Sequence, residues 1–159
     1  MSRLLLVRHA HAGDRGAWVG DDAVRPLSAR GAAQATALAE VLAPLAVDPA
    51  VAVTSSPALR CTATVEPLAV RLGTAVRVDD ALGEGTDVAT LLDRIALVAA
   101  PTVWCSHGDV IPALLLRLAD RGLDLGPDPS CRKASTWVLE LDAGRVTTAR
   151  HLPPPDVSR

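Results

Sequence analysis

Two of the four histidines follow directly on short apolar runs. His9 comes after residues 4–7 and Arg8, and His107 comes after residues 102–105 and Ser106. A neutral imidazole, with an ordinary pKa near 6.5, is a competent nucleophile toward phosphorus at pH 7. A second imidazole, once protonated, binds a phosphoryl oxygen. Two arginines complete the set. Arg8 adjoins the first histidine, and Arg60 lies in S-S-P-A-L-R-C-T-A-T, four residues before Thr64. Guanidinium presents a rigid fork of donors that matches phosphate oxygens two at a time. A lone histidine is usually structural and a lone arginine usually a solvated surface group. Together, at the ends of apolar runs, they point to phosphoryl transfer.

The elements that must place these groups follow from the hydrophobic pattern. Residues 4–7 are continuously apolar, as expected of a strand buried on both faces of a parallel sheet. A Gly- and Asp-rich loop over 13–26 follows. Ser28 is set to cap a helix running to about residue 43, where Pro44 fits its end. Residues 51–54 read as a second strand. Ser55-Ser56-Pro57 then opens a helix with proline in its first turn, kinked at Pro67 and closed by Gly73. A third strand over 75–78, a loop over 80–87 containing Glu84, and a helix over 88–98 come next. A fourth strand over 102–105 leads through Ser106-His107-Gly108 into a helix ending near Asp120. After a loop over 122–132, strands over 136–141 and 145–149 turn at Asp142-Ala143-Gly144. The proline-rich tail after Leu152 is expected to fray.

Strands alternating with helices predict a three-layer α/β sandwich with a mostly parallel central sheet flanked by helices. Ligands of such sheets bind where loops leave the carboxyl ends of strands. Arg8-His9, Ser55-Ser56 and Ser106-His107-Gly108 all fall at such ends.

With 159 residues, one domain over 1–159 is expected. Hydrophobic residues make up 49%, yet Phe and Tyr are absent and Trp occurs three times, so Ala, Val and Leu must pack the core. Sixteen basic and eighteen acidic residues alternate without a basic stripe, which argues against a nucleic-acid partner. No apolar run approaches the roughly 20 residues of a membrane span, and no signal peptide is visible. Three cysteines without a C-x-x-C pair fit a reducing compartment. A cytoplasmic protein with no membrane partner is expected.

V-R-H-A-H-A-G, S-S-P-A-L-R-C-T-A-T, L-G-E-G and S-H-G-D-V-I occur in the order and spacing of the histidine phosphatase superfamily, which includes phosphoglycerate mutases. The resemblance runs from Leu4 to about Leu152 and implies a phosphoglycerate mutase-like fold with no cofactor and no metal. By position, His9 resembles the nucleophile that becomes phosphorylated. Arg8, Arg60 and His107 resemble the phosphate pocket, and Glu84 resembles the general acid. The short length is most similar to SixA-type phosphohistidine phosphatases. The segments A-W-V-G-D-D-A-V-R-P-L-S and S-C-R-K-A-S-T-W-V-L also resemble histidine phosphatase domains fused behind Nudix hydrolases. There are departures. Ala10 stands where the family usually has Gly, and His11-Ala12 stands where the mutase-like pattern continues Glu-Thr. Glu84 lacks the fuller motif that follows the acid in mutases.

The implied activity is a metal-independent phosphatase working through phosphorylated His9. Its substrate is a phosphohistidine protein or a small phosphate monoester. One alternative is a non-catalytic phosphate- or phosphoprotein-binding module on the same fold. A mutase would need an added basic pocket, and none is visible in the sequence. A metal hydrolase built on His9-x-His11 would need a barrel of about 250 residues. The loop containing Trp18, Asp21, Asp22 and Arg25 is expected to border the site, with Trp18 capping the core edge in preference to stacking on a substrate ring, and Lys133 and Ser135 on the surface near the rim. An open site is expected.

Overall fold

The computed structural model of the chain describes residues 1–157. Six strands, β1 (Ser2–Arg8), β2 (Ala52–Ser55), β3 (Val76–Val78), β4 (Thr102–Ser106), β5 (Thr136–Asp142) and β6 (Arg145–Leu152), form one sheet in the order β3-β2-β4-β1-β5-β6. Four helices, α1 (Ala29–Leu42), α2 (Leu59–Leu72), α3 (Val88–Ile95) and α4 (Val110–Asp120), cover it. β1 pairs parallel with β4, and β2 parallel with β4 and β3. β5 and β6 add antiparallel at one edge as a hairpin. The mostly parallel three-layer sandwich is therefore the fold.

Strand alternation explains the layers. Leu5 and Val7 of β1 face one side, with Leu38, Leu42, Val65 and Leu68 of α1 and α2. Leu4 and Leu6 face the other, with Leu91, Ile95, Ile111 and Leu114 of α3 and α4. A strand buried on both faces has no polar position to spare, hence the unbroken apolar run. Trp104 and Trp137 both pack on the α3–α4 side. Trp18 does not join either core. It is 37% exposed on the loop before α1, so the expected core-edge cap is not what it forms.

Ser28 caps α1 as expected, accepting from the Gly31 amide. Gly31 has a second reason to be glycine: a Cβ there would lie 1.9 Å from the His11 carbonyl oxygen. The helix thus rests directly on the loop that follows the first strand. The start of α2 differs from the expectation. Pro57 lies ahead of the helix and Ala58 is its cap, because Ser56 still hydrogen-bonds to the Cys105 carbonyl at 2.9 Å and the chain leaves the sheet late. The residue before a proline also avoids helical geometry. α2 runs through Pro67 to Leu72 and ends on left-handed Gly73. α3 stops at Ile95, short of the expected 98, and closes in tight turns at Leu97 and Val98. The tail does not simply fray: Pro154, Pro155 and Val157 are half-buried.

Candidate active site

β1, β2 and β4 end side by side, and their last residues and the loops after them hold the polar groups. His9 follows β1, its backbone amide bonded to the Ser106 carbonyl at 3.1 Å. Its side chain is buried, and Nδ1 lies 2.8 Å from the Ala10 carbonyl. A carbonyl only accepts, so Nδ1 carries the proton and Nε2 carries the lone pair. The His9 pKa is pushed down to about 3, first by burial and then by Arg60, His107 and Arg8, against the Ala10 hydrogen bond. At neutral pH this imidazole is uncharged, with the Nε2 lone pair that nucleophilic attack would require.

Ala10 fits without strain. Its φ is negative, its amide donates to Thr64 Oγ1 at 2.9 Å, and Thr64 donates to the Arg60 carbonyl at 2.6 Å. One threonine thereby ties the loop that follows His9 to the helix that carries Arg60.

The low pKa of His9 has a consequence for stability. Between pH 6.5 and about 3 the unfolded chain binds a proton at His9 that the folded chain refuses. Stability therefore rises with pH through this window and falls as pH drops through it. At pH 5 this group is expected to cost about 2 kcal/mol relative to pH 8. Urea unfolding of wild type and His9→Gln at both pH values checks this. Equal pH slopes in the two proteins would assign the effect to another group.

His107 follows β4, its ring 5.5 Å from that of His9 and edge-on to it. Its Nε2 meets Ser56 Oγ at 2.7 Å, and its Nδ1 faces Glu84 Oε1 at 3.3 Å. The carboxylate accepts, so Nδ1 bears a proton. The Cys61 thiol packs 3.5 Å from Nε2. The residues flanking His107 place Glu84. Ser106 Oγ donates to the Leu82 carbonyl at 2.6 Å, and Asp109 accepts from the Gly85 amide at 2.8 Å. S-H-G-D thus fixes the Glu84 loop on both sides. Its glycine leaves room for Arg8: a Cβ on Gly108 would stand 2.6 Å from the Arg8 Cζ.

Arg8 donates from Nη1 to the Cys131 carbonyl at 2.7 Å, while its buried Nε has no protein partner among the described residues. Arg60 is 2% exposed. It donates to the Asp22 carbonyl at 3.0 Å and to Glu84 at 2.9 Å, and its Nε likewise lacks a partner. Buried donors without acceptors are costly. Both guanidiniums act electrostatically on His9, but Arg8 lines the same cleft as His9 whereas Arg60 and His107 line the neighbouring one, with Glu84 common to both.

Arg8, His9, Glu84, Arg15, Arg25 and Lys133 line one cleft of about 400 Å³. The side chains of Arg15 and Glu84 are half-exposed at its rim, so the cleft is open as expected. Arg25, in the loop expected to border the site, lines it, while Arg15 and Lys133 exceed the expectation. Arg25 is buried at 5% exposure, donating to the Ala12 carbonyl at 2.6 Å and to Asp22 at 2.9 Å. Arg15 bridges Asp22 at 2.9 Å and Glu84 at 2.6 Å. Asp22 is held down to about pKa 2, chiefly by the Arg25 hydrogen bond. Lys133 joins the cleft wall and is not a bystander on the surface. Ser135 is buried and donates to the Arg132 carbonyl at 2.6 Å. Between them Ala134 adopts a left-handed φ of 65°, and its amide reaches the Arg8 and His9 carbonyls at 3.2 and 3.1 Å.

His9 and His11 do not share a ligand. His9 lines the cleft of about 400 Å³, whereas His11 turns to Ser28 Oγ at 2.6 Å and lines a different one. That separation removes the His-x-His arrangement of the metal hydrolase reading.

A family model for the histidine phosphatase superfamily (branch 1) matches residues 4–88. The chain belongs to the histidine phosphatase superfamily. The 8-oxo-(d)GTP phosphatase of Mycolicibacterium smegmatis is 36% identical over 159 residues, covering 96% of this chain and 48% of that protein. The chain thus spans about half the length of this relative. Among solved structures, the protein histidine phosphatase SixA bound to tungstate superposes with a TM-score of 0.77 at 22% identity, covering 96% of this chain and 97% of that one. A mycobacterial glucosyl-3-phosphoglycerate phosphatase superposes with a TM-score of 0.64 at 22% identity, covering 95% and 97%. These structural likenesses establish the phosphoglycerate mutase-like fold.

Proposed function

We propose that the chain is a metal-independent phosphatase that transfers a phosphoryl group to His9 and then to water. Its substrate is a phosphohistidine protein or a small phosphate monoester. The observation that carries this reading is the state of His9: buried, neutral, with Nδ1 pinned by a carbonyl and Nε2 left as the free lone pair beside two arginines. A module that only binds phosphate needs the cations but not a pinned, unprotonated imidazole. The free thiols of Cys61, Cys105 and Cys131 support a cytoplasmic setting.

In the first step His9 Nε2 attacks phosphorus, the N–P bond forms, and the bond to the leaving atom breaks with its electron pair. Arg8, Arg60 and His107 hold the non-bridging oxygens and offset the charge that builds on them. In the second step water attacks phospho-His9, orthophosphate leaves, and the lone pair returns to Nε2.

Glu84 occupies an informative position. Its Oε1 contacts Arg15, Arg60 and His107, two of which are the groups assigned to phosphate oxygens. A phosphoryl group entering the cleft competes with this carboxylate, which is half-exposed and free to turn toward the leaving atom. There it serves as acid in the first step and base in the second. An alkoxide leaving group needs that proton far more than an imidazole does. Glu84→Gln is therefore expected to lower turnover of an alkyl phosphate by about 100-fold and of a phosphohistidine peptide by less than about tenfold. Steady-state assays on both substrates check it, and equal losses would remove Glu84 from the acid role.

The activity itself is tested by phosphate release from an aryl phosphate and a phosphohistidine peptide with chelator present. Chelator-resistant turnover is expected. Orthophosphate binding without turnover of either substrate would favour the binding module.

A further inference from the structure

Beside the phosphate cleft lies a second one of about 500 Å³ that the catalytic steps do not use. One wall is basic: Arg30 from the first turn of α1, and Arg132 and Lys133 from the segment before β5. The opposite wall is the tail at Pro154, Pro155, Asp156 and Val157. Arg8 and Lys133 line both clefts, so the two adjoin.

The basic wall lacks compensation. None of Arg30, Arg132 and Lys133 forms an ion pair among the described residues. Asp156, the acidic side chain on the tail wall, forms none either. Burial and the positive fields of Arg8, Arg25, Arg60 and Arg15 depress the Lys133 pKa, so the unrelieved charge is felt locally. His11, also on this wall, is depressed by burial and then by Lys133 and Arg30.

A buried polar group points the same way. Gln34 is 4% exposed and lines the cleft. Its Oε1 accepts from the His11 amide at 3.0 Å, which fixes the amide orientation. The remaining NH₂ donors have no acceptor among the described protein groups, and they belong to a side chain set into the cleft wall. The wall is also held in register with the nucleophile. Ala134, next to Lys133, bonds through its amide to the carbonyls of Arg8 and His9.

We propose that this cleft is a second anion subsite, so that the preferred substrate is a small phosphorylated compound whose leaving group carries a further phosphate or carboxylate. The inference rests on the phosphatase reading of His9 and names the substrate class for that same site. Cations with no acidic partner, together with free amide donors, are satisfied by a carboxylate or phosphate oxygen through charge-assisted hydrogen bonds. The sequence shows no such pocket because its parts come from three separated segments.

The test uses phenyl phosphate, with one anionic group, against adenosine 5′-diphosphate, with a second phosphate, and 3-phosphoglycerate, with a carboxylate. Wild type is compared with the Arg30→Ala/Arg132→Ala double variant. Both side chains are exposed and outside the catalytic set, so folding is retained. At least one doubly anionic substrate is expected to exceed phenyl phosphate in kcat/KM by about tenfold or more, the advantage sitting in KM. The double variant should lose that advantage while turning over phenyl phosphate within about twofold of wild type. Which substrate responds tells whether the second group is phosphate or carboxylate. An advantage that survives in the variant, or no advantage in wild type, overturns the subsite.

Calorimetric binding of pyrophosphate and orthophosphate separates this from failure of the phosphatase reading. If no substrate turns over but pyrophosphate binds more tightly than orthophosphate in wild type alone, the subsite stands and the activity does not. Equal affinities in both proteins reject the subsite whatever the activity.

Discussion

The His9→Ala variant is expected to lose phosphate release by about four orders of magnitude or more, with its fold intact. A nucleophile cannot be replaced by its neighbours. His107, whose ring lies 5.5 Å from that of His9, has Nε2 on Ser56 and a proton on Nδ1 toward Glu84, so neither of its nitrogens offers a free lone pair to phosphorus. Stopped assays on an aryl phosphate check the loss, and a thermal melt checks the fold. The same variant should still bind orthophosphate, because Arg8 and Arg60 remain. Activity within about tenfold of wild type would mean that water, not His9, attacks phosphorus.

Arg60→Ala carries the next largest expected effect, a fall in kcat/KM of about 100- to 1,000-fold. Its guanidinium is buried, fixed from one side by the Asp22 carbonyl and Glu84, and has its Nε turned to no protein acceptor. That is the preorganised donor a phosphoryl transition state requires, since no reorientation is needed when charge develops. Arg60→Lys returns a charge without the planar fork, so it should recover less than about tenfold of the loss. Removing Arg60 leaves Asp22 and Glu84 uncompensated, but both reach solvent and Arg15 still pairs with each, so the loop stays folded. Full recovery by lysine would reduce Arg60 to a point charge, and unchanged kcat/KM in Arg60→Ala would remove it from the phosphate pocket.

The architecture was readable because β1 is buried on both faces and shows it as an unbroken apolar run, while α1 announces its start at Ser28. The positions of Arg8, His9 and His107 were readable for a related reason: each sits at or just past a strand end, whereas Arg60 lies in the first turn of α2. The start of α2 was less legible. It is decided by a hydrogen bond from Ser56 to Cys105, far away in the sequence, which propensity does not register.

The loop over 13–26 hid more. Its Gly and Asp content signals irregular backbone. It gives no sign that Arg25 turns inward to the Ala12 carbonyl, or that Arg15 reaches Glu84 across the cleft. Lys133 was assigned to the surface because nothing local marks Ala134 as left-handed. Yet that one backbone angle carries Lys133 to the cleft wall beside Arg8. Ser135 was misplaced for the same reason. The second basic cleft was illegible altogether, since Arg30, the Arg132-Lys133 pair and the tail meet only through the fold.

The most direct measurement is to trap the phosphorylated protein. Wild type is mixed with substrate, quenched in alkali within the first turnovers, digested and sequenced by mass spectrometry. One phosphoryl group on His9, stable in alkali, lost in acid and absent from His9→Ala, is the expected result. A phosphoryl group on another residue, or steady phosphate release with no phosphorylated His9 at any time, would contradict transfer through His9.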